Sequence, residues 1–175
     1  WKGVSMLPLL TLLTHSLFYG VILSVLMTAL ILGTLAWRPM MWVNDAPADV
    51  RAAAGPMSAA DRRAKRLGGA LMLVIIAGVF GAALAALAET SGGTLTFADA
   101  AVSSFLIYMT FNVVDLALID WLLLVAIRPR FMVMPGTAGL AGYGDYGYHF
   151  RAFLKGTLLG VVLSLLIAAG AVLIW

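Results

Sequence analysis

The sequence predicts an all-α integral membrane protein, an antiparallel bundle of four transmembrane helices with the N and C termini on the outer side. Of its 175 residues, 63% are hydrophobic and only 11% are charged, whereas soluble domains are about 45–50% apolar and about 25% charged. Four apolar runs are each long enough to cross a hydrocarbon core of about 30 Å. Basic residues gather in two of the intervening loops, which gives the bundle an orientation.

The four predicted spans cover approximately residues 12–37, 67–88, 99–127 and 154–175. No polar stretch between them is long enough to fold separately, so we expect residues 1–175 to form a single membrane domain. Pro8 precedes the first span, and proline costs no hydrogen bond at a helix start. That first apolar run is too long for the core of a cleaved signal peptide, and we expect it to be an uncleaved anchor.

Charge distribution predicts the topology. Apart from Lys2, all Lys and Arg residues lie in or beside the loops 38–66 and 128–153, whereas the loop 89–100 has none and carries Glu89 and Asp99. The positive-inside rule then makes both basic loops cytoplasmic and both termini external. We expect a bacterial inner (plasma) membrane location. The net charge of +3 follows from this topology, so no nucleic acid partner is predicted.

Small residues repeat every four positions on the first and fourth spans. Such ridges allow the close helix contacts on which association in lipid depends. They predict helix packing, either within the chain or with another subunit. The residues are Ser16, Gly20, Ser24 and Thr28 on the first span and Gly156, Gly160, Ser164 and Ala168 on the fourth.

Polar side chains interrupt the third span. At about 100° per residue of an α-helix, Tyr108, Asn112 and Asp115 share one stripe. An aspartate at mid-membrane costs about 2.5–3.5 kcal/mol, so this stripe should face protein or a wet cavity. Two interpretations stay open. Asp115 could bind a proton or a cation with Asn112 and Tyr108 as partners, or it could be a structural group hydrogen-bonded to hydroxyl groups of the first span.

Asp120 falls about 140° away from Asp115 on an α-helix, nearer the cytoplasmic boundary. There we expect a structural ion pair with Arg128 or Arg130, whose long side chains can reach the interface. His15, near the outer end of the first span, is expected to be an interfacial hydrogen-bonding residue.

The cytoplasmic loops carry weaker signals. Ser58 suits the N-cap of a helix that leads into the second span, and the basic residues after it are expected to meet anionic headgroups. The second loop contains a Gly/Tyr-rich stretch that suits either interfacial folding or the docking of a partner. Within it, Asp145 and His149 are the nearest approach to a catalytic acid–base pair, but no nucleophile or metal ligand accompanies them.

Three functions follow. The first is a non-enzymatic accessory or structural subunit of a larger membrane complex, docking through the small-residue ridges and the Gly/Tyr loop. The second is a proton- or cation-coupled transporter or channel component using Asp115, Asn112 and Tyr108. The third is a membrane enzyme using Asp145 and His149. With no Cys and only two His, neither a metal site nor a cofactor is predicted. Expected partners are membrane lipids, including a bound lipid, and other membrane subunits or further copies of the chain.

Overall fold

The computed structural model describes residues 7–175, and this part of the chain contains helices and loops but no strand. The α-helices are α1 (Leu9–Trp37), the short α2 (Ala48–Ala54), α3 (Ala59–Thr90), α4 (Phe97–Val114) and α5 (Tyr146–Ala171). A π-helix over Asp115–Ile127 continues α4 without a break. Short 3-10 segments occupy Pro39–Asp45, Arg130–Met132 and Ala141–Gly144.

Four helices are long and apolar enough to cross a membrane, when α4 and the π-helix are counted together as Phe97–Ile127. This agrees with the membrane class that composition predicts. We call the end that carries residues 38–58 and 128–145 the basic end, because most Arg residues lie in or beside these loops.

Local capping explains where the helices begin. Pro8 is the N-cap of α1, close to the predicted position. Ser58 caps α3 as predicted, and its side chain and that of Asp61 form a reciprocal capping box. Asp145 accepts a hydrogen bond from the Tyr148 N–H and caps α5. As a result, α3 and α5 begin at Ala59 and Tyr146, well before the predicted spans at about 67 and 154.

The main helix contacts run in the order α3, α1, α4, α5. Part of each predicted small-residue ridge faces α4. On α1, the Ser16 hydroxyl donates to Ser103 Oγ (3.0 Å), and a side chain at Gly20 would strike Thr110. On α5, a side chain at Gly160 would strike the Tyr108 ring. The small residues therefore allow α4 to approach its two neighbours closely.

The glycines of α3 behave differently. A Cβ atom at Gly78 or Gly81 would meet no other atom within 4 Å, and both positions are exposed. The buried face of α3 instead carries larger side chains, including Phe80 and Leu84, which pack against α1 and α4. Frequent glycine in this span is therefore no sign of a close contact within the chain.

The two loops of the basic end pack against each other. Val43 and Val50 from the first loop share an apolar cluster with Met134 and Tyr143 from the second. The Tyr143 hydroxyl accepts from the Met134 N–H (3.0 Å) and hydrogen-bonds Thr137 Oγ1 (2.8 Å). At least this tyrosine of the Gly/Tyr-rich stretch is an internal anchor, because its side chain is buried.

Candidate functional site: a carboxylate–histidine cluster

A close polar contact joins α5 to the π-helix. His149 Nδ1 lies 3.0 Å from Asp120 Oδ1, and His149 is only 7% exposed. Because α5 begins at Tyr146, His149 is helical and its side chain faces the π-helix. The Asp145 cap thus places the histidine inside the helical part of the protein.

The π-helix changes which residues of the third span lie together. Its hydrogen bonds join residues five apart, as in the bond from the Arg128 N–H to the Leu123 carbonyl (2.7 Å). Residues five positions apart therefore lie nearly one above the other. Asp115 and Asp120 have this spacing, and Asp115 lies close enough to interact electrostatically with both Asp120 and His149. The prediction that Asp115 and Asp120 lie about 140° apart around the helix is wrong, because it assumed an α-helix and this segment is a π-helix.

Asn112 extends the cluster towards the middle of the span. Its side-chain nitrogen donates to the Phe153 carbonyl (3.3 Å) and to Thr157 Oγ1 (3.2 Å), both on α5. Gly156 allows this approach, since a Cβ atom there would lie 2.9 Å from Asn112 Oδ1 and 3.4 Å from the Tyr108 hydroxyl. Tyr108 and Asn112 of the predicted group therefore face α5. Ser24 of the first span instead donates to its own helix, at the Gly20 carbonyl.

Aromatic side chains surround the outer side of the Asp120–His149 pair. The Trp121 ring meets the Tyr146 ring edge to face at 5.8 Å and lies 6.4 Å from the Phe150 ring. The Trp121 indole N–H also donates to the Tyr146 carbonyl (3.4 Å). Aromatic belts of this kind are typical of the membrane–water boundary. The pair thus lies near the basic end of the spans.

The prediction that Asp120 forms an ion pair with Arg128 or Arg130 is wrong, because Asp120 contacts His149 instead. Arg128 ends the π-helix in a left-handed conformation, with φ of 52°. Its guanidinium group lies over the Tyr143 ring, 5.6 Å from the centroid, and donates to the Val125 carbonyl. Arg130 begins a 3-10 segment and is exposed. The turn at Arg128 therefore directs the chain away from Asp120.

The suggested acid–base pair of Asp145 and His149 is also not formed. Asp145 is exposed, caps α5 and lies 3.4 Å from Arg151, while His149 faces Asp120. The partnership of Asp120 and His149 was missed in the sequence. The sequence did contain a signal for it. Asp145 is a favourable N-cap residue, and a helix that begins after Asp145 includes His149.

His15, on the opposite side of the protein, makes the kind of contact that was expected of it. Its Nε2 lies 3.0 Å from the Ala83 carbonyl of α3, so that nitrogen carries the proton in this contact. Within residues 7–175, no group of three His, Asp or Glu side chains is arranged to hold a metal ion.

The chain matches no protein-family model, and comparison with curated proteins and with solved structures gave no match.

Proposed function

We propose that the chain is a proton-handling transporter or channel component of a membrane, in which Asp115, Asp120 and His149 bind and pass protons. The observation that carries this proposal is the 3.0 Å contact between His149 Nδ1 and Asp120 Oδ1. It lies between two segments of candidate membrane spans. Ionisable side chains in such segments are costly, and they commonly serve proton or ion pathways.

The geometry of the pair suits reversible protonation. The Asp120 carboxylate lies 3.0 Å from His149 Nδ1, where it can stabilise a proton held by the ring. Asp115 lies five residues before Asp120 on the same π-helix, so the segment carries a second carboxylate on this side.

A row of polar side chains supports a route across the membrane. It follows one face of α4 and the π-helix from Ser104 to the carboxylate–histidine cluster. Ser104 Oγ is buried and makes no hydrogen bond within the described residues. The members of the row are Ser104, Tyr108, Asn112, Asp115 and Asp120.

The proposed orientation follows from the basic loops, which place the basic end in the cytoplasm of a bacterial-type cell. The Asp120–His149 pair would then open towards the cytoplasm, and the row on α4 would lead outward. Four spans are few for a transport pathway, so this function implies assembly with further copies of the chain.

Proton flux into vesicles tests the proposal. Purified protein is reconstituted into liposomes that contain a pH-sensitive dye, and a pH gradient is imposed. We expect His149→Ala and Asp115→Asn each to reduce the flux at least about ten-fold, since general acid–base groups contribute about 10²–10⁴-fold. Asp145→Asn is the matched control, because this exposed carboxylate should leave the flux unchanged. Wild-type flux equal to that of empty liposomes, or unaltered flux in both variants, contradicts the proposal.

A second candidate is an accessory subunit of a larger complex, and the exposed glycines of α3 favour it. Gly78 and Gly81 leave a shallow outward surface, of the kind that a helix of another chain can approach closely. Native mass spectrometry of the protein extracted from membranes would reveal a stoichiometric partner. Gly78→Leu should then release that partner without changing the fold.

A further inference from the structure

A groove of about 180 Å³ lies between α1, the 3-10 segment Pro39–Asp45 and the first half of α3. Leu30 and Met72, from two long helices, line its apolar part, and Asp45 and Lys65 line its polar part. The groove thus joins the apolar region of the spans to the basic end.

The floor of the groove is open at Gly69. A Cβ atom there would meet no other atom within 4 Å, so the space beside the helix is unfilled by the protein. Trp42 forms part of the wall, and its indole N–H donates to Thr34 Oγ1 (3.1 Å). With that hydrogen bond satisfied internally, the ring offers an apolar face. A hydrocarbon chain is the chemistry that such walls accept.

Cations border the polar part of the groove. Arg62 and Arg66 line a shallow depression that shares Lys65 and Gly69 with it. Lys65 Nζ lies 3.1 Å from Asp45 Oδ2, but the two side chains are 38% and 58% exposed. Exposed pairs of this kind contribute little, about 0–1 kcal/mol, so Lys65 can turn to another anion. Arg62, Lys65 and Arg66 therefore place three cations beside the groove, and cations are complementary to a phosphate group.

We infer that this groove binds one anionic phospholipid, with an acyl chain beside Leu30 and Met72 and its phosphate between Arg62, Lys65 and Arg66. A phospholipid is the membrane molecule that joins a hydrocarbon chain to a phosphate, which matches the two parts of the groove. This site is separate from the proton cluster of α4 and α5, and it does not depend on the proposed transport function.

Lipid titration by native mass spectrometry tests the site. The purified protein is titrated in mild detergent with phosphatidylglycerol and, separately, with phosphatidylcholine. We expect the wild type to hold one phosphatidylglycerol more tightly. Arg62→Gln combined with Arg66→Gln should weaken that binding about twenty-five-fold, at about five-fold for each charge. Gly69→Leu should fill the groove and weaken both lipids.

Two matched controls separate this site from general lipid contact. Gly78→Leu adds the same side chain to an equally open position of α3, away from the groove. Arg63→Gln removes a neighbouring charge that lines neither depression. Both controls should bind as the wild type does. Equal affinity of the wild type for the two lipids, or equal losses in a variant and its control, overturns the inference.

Discussion

The contact between α4 and α5 and the contact between α1 and α3 each hold two long apolar helices together, but with different chemistry. Between α1 and α3, Met27 and Phe80 belong to an apolar cluster. Within the described residues, one hydrogen bond joins the two helices, from His15 to the Ala83 carbonyl, and an ion pair of Arg38 with Asp61 (3.0 Å) joins the C-cap of α1 to the first turn of α3. The partner surface of α5, by contrast, meets Asp120 and Asn112.

This difference indicates that most of the contact between α1 and α3 is apolar. In lipid, van der Waals contact is a main source of helix association. A buried ion pair gains little net stability, because desolvation offsets its Coulomb attraction. We therefore explain the carboxylates and the histidine between α4 and α5 by a chemical role and not by a need to hold the helices together. The stability of this contact should depend most on how closely the two helices approach.

The largest loss of stability is expected for Gly160→Leu. The added side chain would strike the Tyr108 ring, and a ring cannot move aside as the end of a flexible side chain can. Overpacking of this kind costs about 1–3 kcal/mol, and we expect a value near the upper end. Equilibrium unfolding in mixed detergent micelles, followed by tryptophan fluorescence, measures it. Gly78→Leu should change the unfolding free energy little; equal losses would remove the special role of the α4–α5 approach.

Asp120→Ala should have the next largest effect. It removes the carboxylate that lies 3.0 Å from His149 Nδ1, in a site where His149 is only 7% exposed. A buried polar group left without its partner costs about 1–3 kcal/mol, and we expect a loss of about 2 kcal/mol. The same unfolding measurement applies. Asp145→Ala serves as a comparison for an exposed carboxylate at a helix cap, which should lose about 1 kcal/mol. A smaller loss for Asp120→Ala than for Asp145→Ala would contradict the assignment.

Asn112→Ala removes two hydrogen bonds to α5. Interhelical hydrogen bonds in membranes average about 0.6 kcal/mol, so we expect a loss of about 1 kcal/mol. The variant should unfold at a lower fraction of denaturing detergent but keep its helical circular dichroism. An unchanged unfolding midpoint would mean that the Asn112 contacts carry no stability.

The smallest effect is expected on the other side of the comparison. His15→Ala removes one hydrogen bond between α1 and α3, which corresponds to about 0.6 kcal/mol. Proton flux, if present in the wild type, should be unaffected. Reduced flux in this variant would extend the functional cluster beyond α4 and α5, and would weaken the distinction between the two contacts.

Composition and hydropathy predicted the membrane class and the number of long helices. A helix that crosses lipid needs about 20 consecutive apolar residues, and such a run can be recognised in the sequence directly. Local rules also placed Pro8 and Ser58 at helix starts, since capping depends on neighbouring residues alone. The tertiary structure decided which partners the polar residues have. Whether Asp120 meets an arginine or His149 depends on a π-helix and on an early start of α5, and both change the helix face on which a residue lies. Which side chains meet across two helices depends on the rotation of each helix about its axis and on the relative shift of the helices along that axis. The α-helical periodicity of a single span gives neither quantity.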